Sequence, residues 1–122
     1  MKASRLAQIA SEAVAATQRE LPPEVLEAAR SVPVHFEAVP GADVLAEGFE
    51  PDLLGLFTGS PHGEGPSDGE GPAQIHIYTA NLWDFAEEDV GAYRDEVRLT
   101  YLHELGHFLG WDEDQVAARG LD

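Results

Sequence analysis

Cysteine is absent from the 122 residues of this chain, and lysine and arginine together number only 7. Without cysteine the chain forms no disulfide, and any bound metal must be held by imidazole and carboxylate groups. The 23 aspartate and glutamate residues give a formal net charge of −16. This charge repels nucleic acids and anionic membranes and attracts cations and basic peptides. We therefore expect neither a nucleic-acid partner nor a membrane partner for this acidic protein.

Unbroken apolar runs are missing as well. The N-terminal stretch MKASRLAQIASEAVAATQRE carries a polar side chain every few positions, so it has the pattern of neither a signal peptide nor a membrane span. A cytoplasmic location is the default expectation. The apolar content is 43%, which together with the short length predicts a single domain over residues 1–122 with a modest core.

Hydrophobic periodicity predicts helices at the start of the chain and strands in its middle. Apolar residues at steps of three and four indicate an amphipathic helix from about Ala3 to Arg19, and proline in a first turn suits a second helix, Pro23–Arg30. Alternation predicts strands at 32–39 and 74–80. The apolar segment 53–59 is expected to be a central strand.

A glycine- and proline-rich segment and a long helix complete the predicted elements. Residues 60–73 (SPHGEGPSDGEGPA) bury too little apolar surface to order themselves, which predicts a mobile loop. A nearly fully buried helix is expected from Val90 to Leu109. Its polar side chains recur at helical spacing and form one stripe: Glu96, Thr100, His103 and His107.

The strongest signal lies in that helix, where His103, Glu104 and His107 form an HExxH motif. Side chains four residues apart lie one above the other on a helix, so the two imidazoles can share one small cation, with zinc the natural choice. Glu104 projects about 100° further round the helix. It can hold a water at the metal without being a ligand, which is the geometry of a hydrolase.

Residues after the motif extend it to HExxHxxGxxE. Gly110 stands where a helix favours a left-handed C-cap, and the acidic residues 112–114 follow within reach of the metal once the chain turns. Glu113 is the candidate third ligand, and Asp112 is the alternative. Asp112 with Gln115 also matches a capping box for a final helix to about Arg119, which gives Asp112 a structural role.

The extended motif resembles that of the small, single-domain bacterial zincin-like metallopeptidases, or minimal zincins, which carry HExxHxxGxxD. The resemblance implies an α+β fold in which a small mixed sheet of three or four strands packs on a long active-site helix, with flanking helices. It implies zinc as cofactor, His103, His107 and Glu113 as ligands, and Glu104 as general base. Glu113 departs from the family's usual aspartate, so a longer side chain must be accommodated.

The same resemblance implies a zinc metallopeptidase acting on peptide or protein substrates. Residues 74–80, the last strand before the active-site helix, would then pair with an extended substrate peptide. His76 and Tyr78 on that strand are candidates for stabilising the oxyanion, and plain cross-strand packing is the alternative for both.

Two other functions and two other classes of zinc peptidase are the alternatives to a minimal zincin. A non-catalytic zinc-binding or interaction domain would keep the ligands but lack a productive cleft. A metal-dependent ribosomal-RNA-processing nuclease shares the ligand spacing but needs a basic surface, which this chain lacks. A metzincin requires a methionine turn, and Met1 is the only methionine. The thermolysin-like plan, in turn, places its third ligand farther along than this chain extends.

Overall fold

The fold is described by a computed structural model covering residues 1–60 and 71–110. In chain order the elements are α1 (Ala3–Arg19), α2 (Pro23–Arg30), β1 (Val34–Glu37), α3 (Ala42–Ala46), β2 (Gly55–Thr58), β3 (Gln74–Tyr78), α4 (Thr79–Phe85) and α5 (Val90–Phe108). The expected α+β class is confirmed. Within the described ranges no helix combines the length and apolar character needed to span a bilayer.

The three strands form a mixed sheet in the order β1-β3-β2, with β3 parallel to β1 and antiparallel to β2. The prediction of a central strand at 53–59 is wrong, because β2 lies at an edge. Its apolar side chains pack against α5 instead. Phe57, for example, contacts Phe108 of α5, and the two ring centroids are 5.9 Å apart. β3 is the central strand, and its Ile75 and Ile77 are fully buried.

Helix α5 contacts α1, β2 and β3 and carries much of the core. Its buried face includes Val97, Tyr101 and Leu105, each 0% exposed. The expectation of a nearly fully buried helix is wrong, since only eight of its 19 residues are buried. The opposite face is open to solvent, with Leu99 40% exposed, and this is the face beside the HExxH residues.

Two short helices were not anticipated from the sequence, α3 and α4, because neither has enough residues to show a clear period. Between α4 and α5 the chain turns at Glu87 and Glu88, which have φ values of 56° and 60°. Asp89 then caps α5 by accepting a hydrogen bond from the Ala92 amide at 2.8 Å. At the other end Gly110 has φ 76°, which confirms the predicted left-handed C-cap.

Candidate metal centre and cleft

His103 and His107 lie on consecutive turns near the C-terminal end of α5. Their ring centroids are 4.5 Å apart, with an interplanar angle of 70°. The four-residue spacing predicts this shared face. The side chain of His107 is 44% exposed, so the pair is accessible from solvent.

Glu104 lies between His103 and His107 in the sequence of the same helix, and only 8% of the residue is exposed. Its Oε1 accepts a hydrogen bond from Nδ1 of His107 at 3.1 Å. With Nδ1 acting as the donor, a neutral His107 keeps the lone pair of Nε2 for a metal ion. A buried carboxylate requires hydrogen-bond donors or a positive charge nearby, and a bound dication would supply that charge.

The donor set formed by His103, Glu104 and His107 suits zinc. One ligand atom from each of the three residues lies within 4.8 Å of the others. Imidazole nitrogen and carboxylate oxygen are ligands that zinc binds in proteins. No other such group of three is found in residues 1–60 and 71–110. The predicted third ligand Glu113, its alternative Asp112 and the predicted C-terminal helix lie outside the described residues.

A cleft of about 340 Å³ opens beside His103 and Glu104. Its other lining residues come from the start of β2 and from the preceding turns of α5: Leu53, Leu54, Gly55, Leu99 and Thr100. The absence of a side chain at Gly55 lets β2 approach the helix. His103 and Glu104 therefore face a concave surface between the edge strand and α5.

The outer edge of β2 borders this cleft. The Tyr78 amide donates to the Leu54 carbonyl at 3.0 Å, and in an antiparallel ladder alternate residues bond to the same neighbour. The backbone groups of Gly55 and Phe57 therefore point to the other edge, where no strand pairs with β2 in the described part of the chain. By contrast, β3 is paired on both sides. The prediction that residues 74–80 pair with substrate is therefore wrong.

A hydrogen-bond anchor for the cleft wall comes from Asn81 in α4. Its side-chain amide donates to the carbonyl of Pro51 at 2.8 Å and to that of Leu53 at 2.9 Å. These bonds fix the segment that leads into β2. Sequence analysis did not identify Asn81, because its partners lie some thirty positions earlier in the chain. The only signal was a polar amide soon after a strand, which many loops also carry.

His76 does not reach the cleft. A Cβ added to Gly55 would meet α5, so Gly55 and its pairing partner Ile77 are on the face of the sheet that packs against that helix. Successive side chains of a strand point to opposite faces of the sheet. His76 is therefore on the opposite face of the sheet. There its Nδ1 donates to Glu37 Oε1 at 2.8 Å, and its Nε2 lies 3.2 Å from the Thr58 hydroxyl. These contacts favour cross-strand packing, the alternative to oxyanion stabilisation, for His76.

Tyr78 is 0% exposed, and its hydroxyl has no hydrogen-bond partner among the described residues. Burial, with smaller contributions from the Glu37, Asp43 and Glu104 carboxylates, raises the pKa of Tyr78 to about 12. The phenol therefore stays protonated at neutral pH. Its burial keeps it from direct contact with a bound peptide in this conformation.

Comparison with known proteins identifies one family. Residues 29–121 match the model of a family described as zincin-like metallopeptidase. The matched region runs from the end of α2 through the HExxH residues to the acidic segment that follows Gly110. No curated protein matches the chain.

Proposed function

The chain belongs to the zincin-like metallopeptidase family, and we propose that it is a zinc-dependent peptidase that hydrolyses bonds in peptides or proteins. The observation that carries this proposal is the cluster of His103, Glu104 and His107, whose ligand atoms lie within 4.8 Å of one another. Two of the three, His103 and Glu104, line an accessible cleft. Family membership supplies the reaction class, and the cluster supplies groups able to perform it.

His103 and His107 are the proposed protein ligands on α5, and Glu113 is the proposed third, from its register after Gly110. These three side chains would hold the zinc ion, which would lower the pKa of a bound water to about 7 and polarise the scissile carbonyl. The chain has no cysteine, so this set of imidazoles and a carboxylate is the type of site that its composition allows.

Glu104 is the proposed general base. Its carboxylate would accept a proton from the attacking water and then deliver that proton to the nitrogen of the leaving amine. The hydrogen bond to His107 keeps it on the side of the helix that carries the ligands.

The proposed substrate is a peptide in an extended conformation. The backbone groups of Gly55 and Phe57 at the outer edge of β2 are available to pair with such a peptide, adding one strand to the sheet. This edge borders the cleft beside His103, so a peptide paired there would pass close to the metal ligands. The net charge of −16 favours basic peptides over acidic ones.

The test is Glu104→Gln, which keeps the size of the side chain and removes the base. Wild-type protein and the variant would be loaded with zinc, their metal content measured, and both incubated with an unbiased peptide library analysed by mass spectrometry. We expect full zinc content in both and a loss of cleavage on the order of a thousandfold in the variant, as expected for removal of a general base.

Glu96→Gln provides a matched control, because Glu96 lies on the same helix, two turns before the HExxH residues, and does not line the cleft. Its cleavage rate should stay near that of the wild type. Equal cleavage by wild type and Glu104→Gln would overturn the mechanism. A zinc-loaded wild type that cleaves nothing would instead favour the non-catalytic zinc-binding domain.

A further inference from the structure

The cleft beside the metal ligands is lined mainly by leucine. Leu53 and Leu54 form the wall at the start of β2, and Leu99 forms the wall on α5. Within the described residues, the only ionisable groups that line it are His103 and Glu104. On a surface with a net charge of −16, this is a local apolar patch at the point where a substrate would lie.

Leu99 is the clearest sign that the patch has a function. Large apolar side chains are usually buried, yet Leu99 is 40% exposed in the middle of a helix whose other face forms the core. It precedes His103 by one turn, so the two side chains lie on the same side of α5. Leu99 lines the cleft together with Leu53 and Leu54, and a contiguous apolar lining of this kind is typical of a ligand-binding surface.

The size of the cleft limits what it can hold. Pockets for small molecules span roughly 300–1,000 Å³, and this cleft, at about 340 Å³, is at the lower end. It suits one large side chain with its local backbone rather than a long stretch of substrate. Gly55 contributes no side chain to the cleft, because Thr100 and Glu104 of α5 already lie against its backbone.

We propose that this cleft is a specificity subsite that accepts one large aliphatic or aromatic side chain next to the scissile bond and excludes acidic side chains. This inference rests on the proposed function, because it assumes that the bond to be cleaved lies at His103, Glu104 and His107. Leu53, Leu54 and Leu99 determine the selectivity. An acidic side chain would lose its hydration in the cleft without gaining an ion pair from any of these three residues, and it would lie beside the Glu104 carboxylate.

Binding of amino-acid hydroxamates tests this inference without requiring catalysis. The hydroxamate group coordinates zinc, and the amino-acid side chain extends from it into the neighbouring space. Isothermal titration of zinc-loaded wild-type protein would compare leucine hydroxamate, glycine hydroxamate and aspartate hydroxamate. We expect leucine hydroxamate to bind at least about tenfold more tightly than glycine hydroxamate, in line with the selectivity of apolar enzyme pockets, and aspartate hydroxamate to bind no better than glycine hydroxamate.

The variant Leu99→Ser should remove most of the preference for leucine over glycine hydroxamate while leaving glycine hydroxamate affinity and zinc content unchanged. Phe85→Ser is the matched control, because Phe85 is also an exposed apolar side chain, 59% accessible, but does not line the cleft. It should keep the full preference. Since both side chains are already exposed, neither substitution is expected to prevent folding.

The outcomes separate this inference from the proposed function. Equal affinity for leucine and glycine hydroxamates, or a preference that survives Leu99→Ser, would overturn the subsite while the metal centre stands. Failure of all three hydroxamates to bind would count against the metal centre. NMR of the metal-free protein titrated with N-acetyl-leucine amide would then test whether the subsite exists. Selective shifts of the Leu53, Leu54 and Leu99 methyl signals would support the subsite, and their absence would overturn it.

Discussion

Gly55 and Thr100 are in such close contact that a Cβ added to Gly55 would lie 2.5 Å from Cγ2 of Thr100. The same Cβ would be 3.2 Å from the His76 carbonyl oxygen and 3.5 Å from Cγ of Glu104. The distance between the edge strand β2 and helix α5 is therefore limited by a glycine on one side and a threonine methyl group on the other. Glu104 is held within this contact, so packing between β2 and α5 also fixes the proposed base.

Gly55→Ala should destabilise the protein by about 1–3 kcal/mol, because the added methyl group overpacks the contact with Thr100. Thr100→Ser removes Cγ2 and should restore part of that loss in the double variant. Thermal or urea unfolding of the wild type, both single variants and the double variant completes the cycle. Residues in contact give coupling free energies of about 0.5–3 kcal/mol. Additive effects would show that Thr100 is not what limits the approach.

Asn81→Asp should loosen the cleft wall. The aspartate has the shape of asparagine but no donor, so a carboxylate would face the carbonyl oxygens of Pro51 and Leu53, which now accept hydrogen bonds at 2.8 and 2.9 Å. We expect a loss of about 1–3 kcal/mol in the free energy of unfolding, with zinc content unchanged.

The comparison variant for this anchor is Asp84→Asn, which makes the reverse exchange at an exposed position of α4. It should change the free energy of unfolding by less than about 0.5 kcal/mol. Urea unfolding measures both variants. If Asn81→Asp matched Asp84→Asn in stability, the two hydrogen bonds from Asn81 would not be holding the segment that leads into β2.

Local patterns in the sequence predicted much of this structure. The bounds of α1 and α2 follow from apolar periodicity and from Pro23, and the shared face of His103 and His107 follows from helical spacing alone. These features depend on residues close together in the chain. Residues within one or two helical turns are therefore sufficient to specify these features.

What the sequence did not predict depends on contacts between distant segments. The edge position of β2 is set by its pairing with β3 and by the contact between Gly55 and Thr100. The role of Asn81 is set by carbonyl groups about thirty residues away. An apolar run such as 53–59 looks the same whether a sheet covers both faces or a cleft borders one of them. Only the tertiary arrangement distinguishes the two cases.

All three tyrosines of the chain are buried, at 0% exposure, which predicts an unusual alkaline titration. Burial raises the pKa of Tyr93 to about 12. Burial also raises the pKa of Tyr101, partly offset by the hydrogen bond that its hydroxyl accepts from Gln18. The pKa of Tyr78 is raised to about 12 as well, first by burial. In the unfolded chain each phenol ionises near pH 10.

The folded protein therefore retains protons that the unfolded chain releases above about pH 10. The stability linked to these tyrosines is fully present below that pH and is lost as the pH rises towards 12, at up to about 1.4 kcal/mol per pH unit for each group. Tyrosinate absorbance and circular dichroism would be followed together. We expect absorbance to rise only as the dichroism signal of the fold is lost, with urea-unfolded protein as the control. A tyrosine that ionised near pH 10 in folded protein would contradict this.

The third zinc ligand can be assigned by comparing two adjacent acidic residues. Glu113→Ala should weaken zinc binding by more than about a hundredfold, since even residues that only support a ligand contribute about 10–100-fold. Asp112→Ala should leave zinc affinity nearly unchanged and lower stability by about 1 kcal/mol, because Asp112 with Gln115 matches a helix cap. Affinity would be measured by competition with a chelator, with Asp114→Ala as the control. The reverse ranking would identify Asp112 as the ligand and leave the roles proposed for His103 and His107 intact.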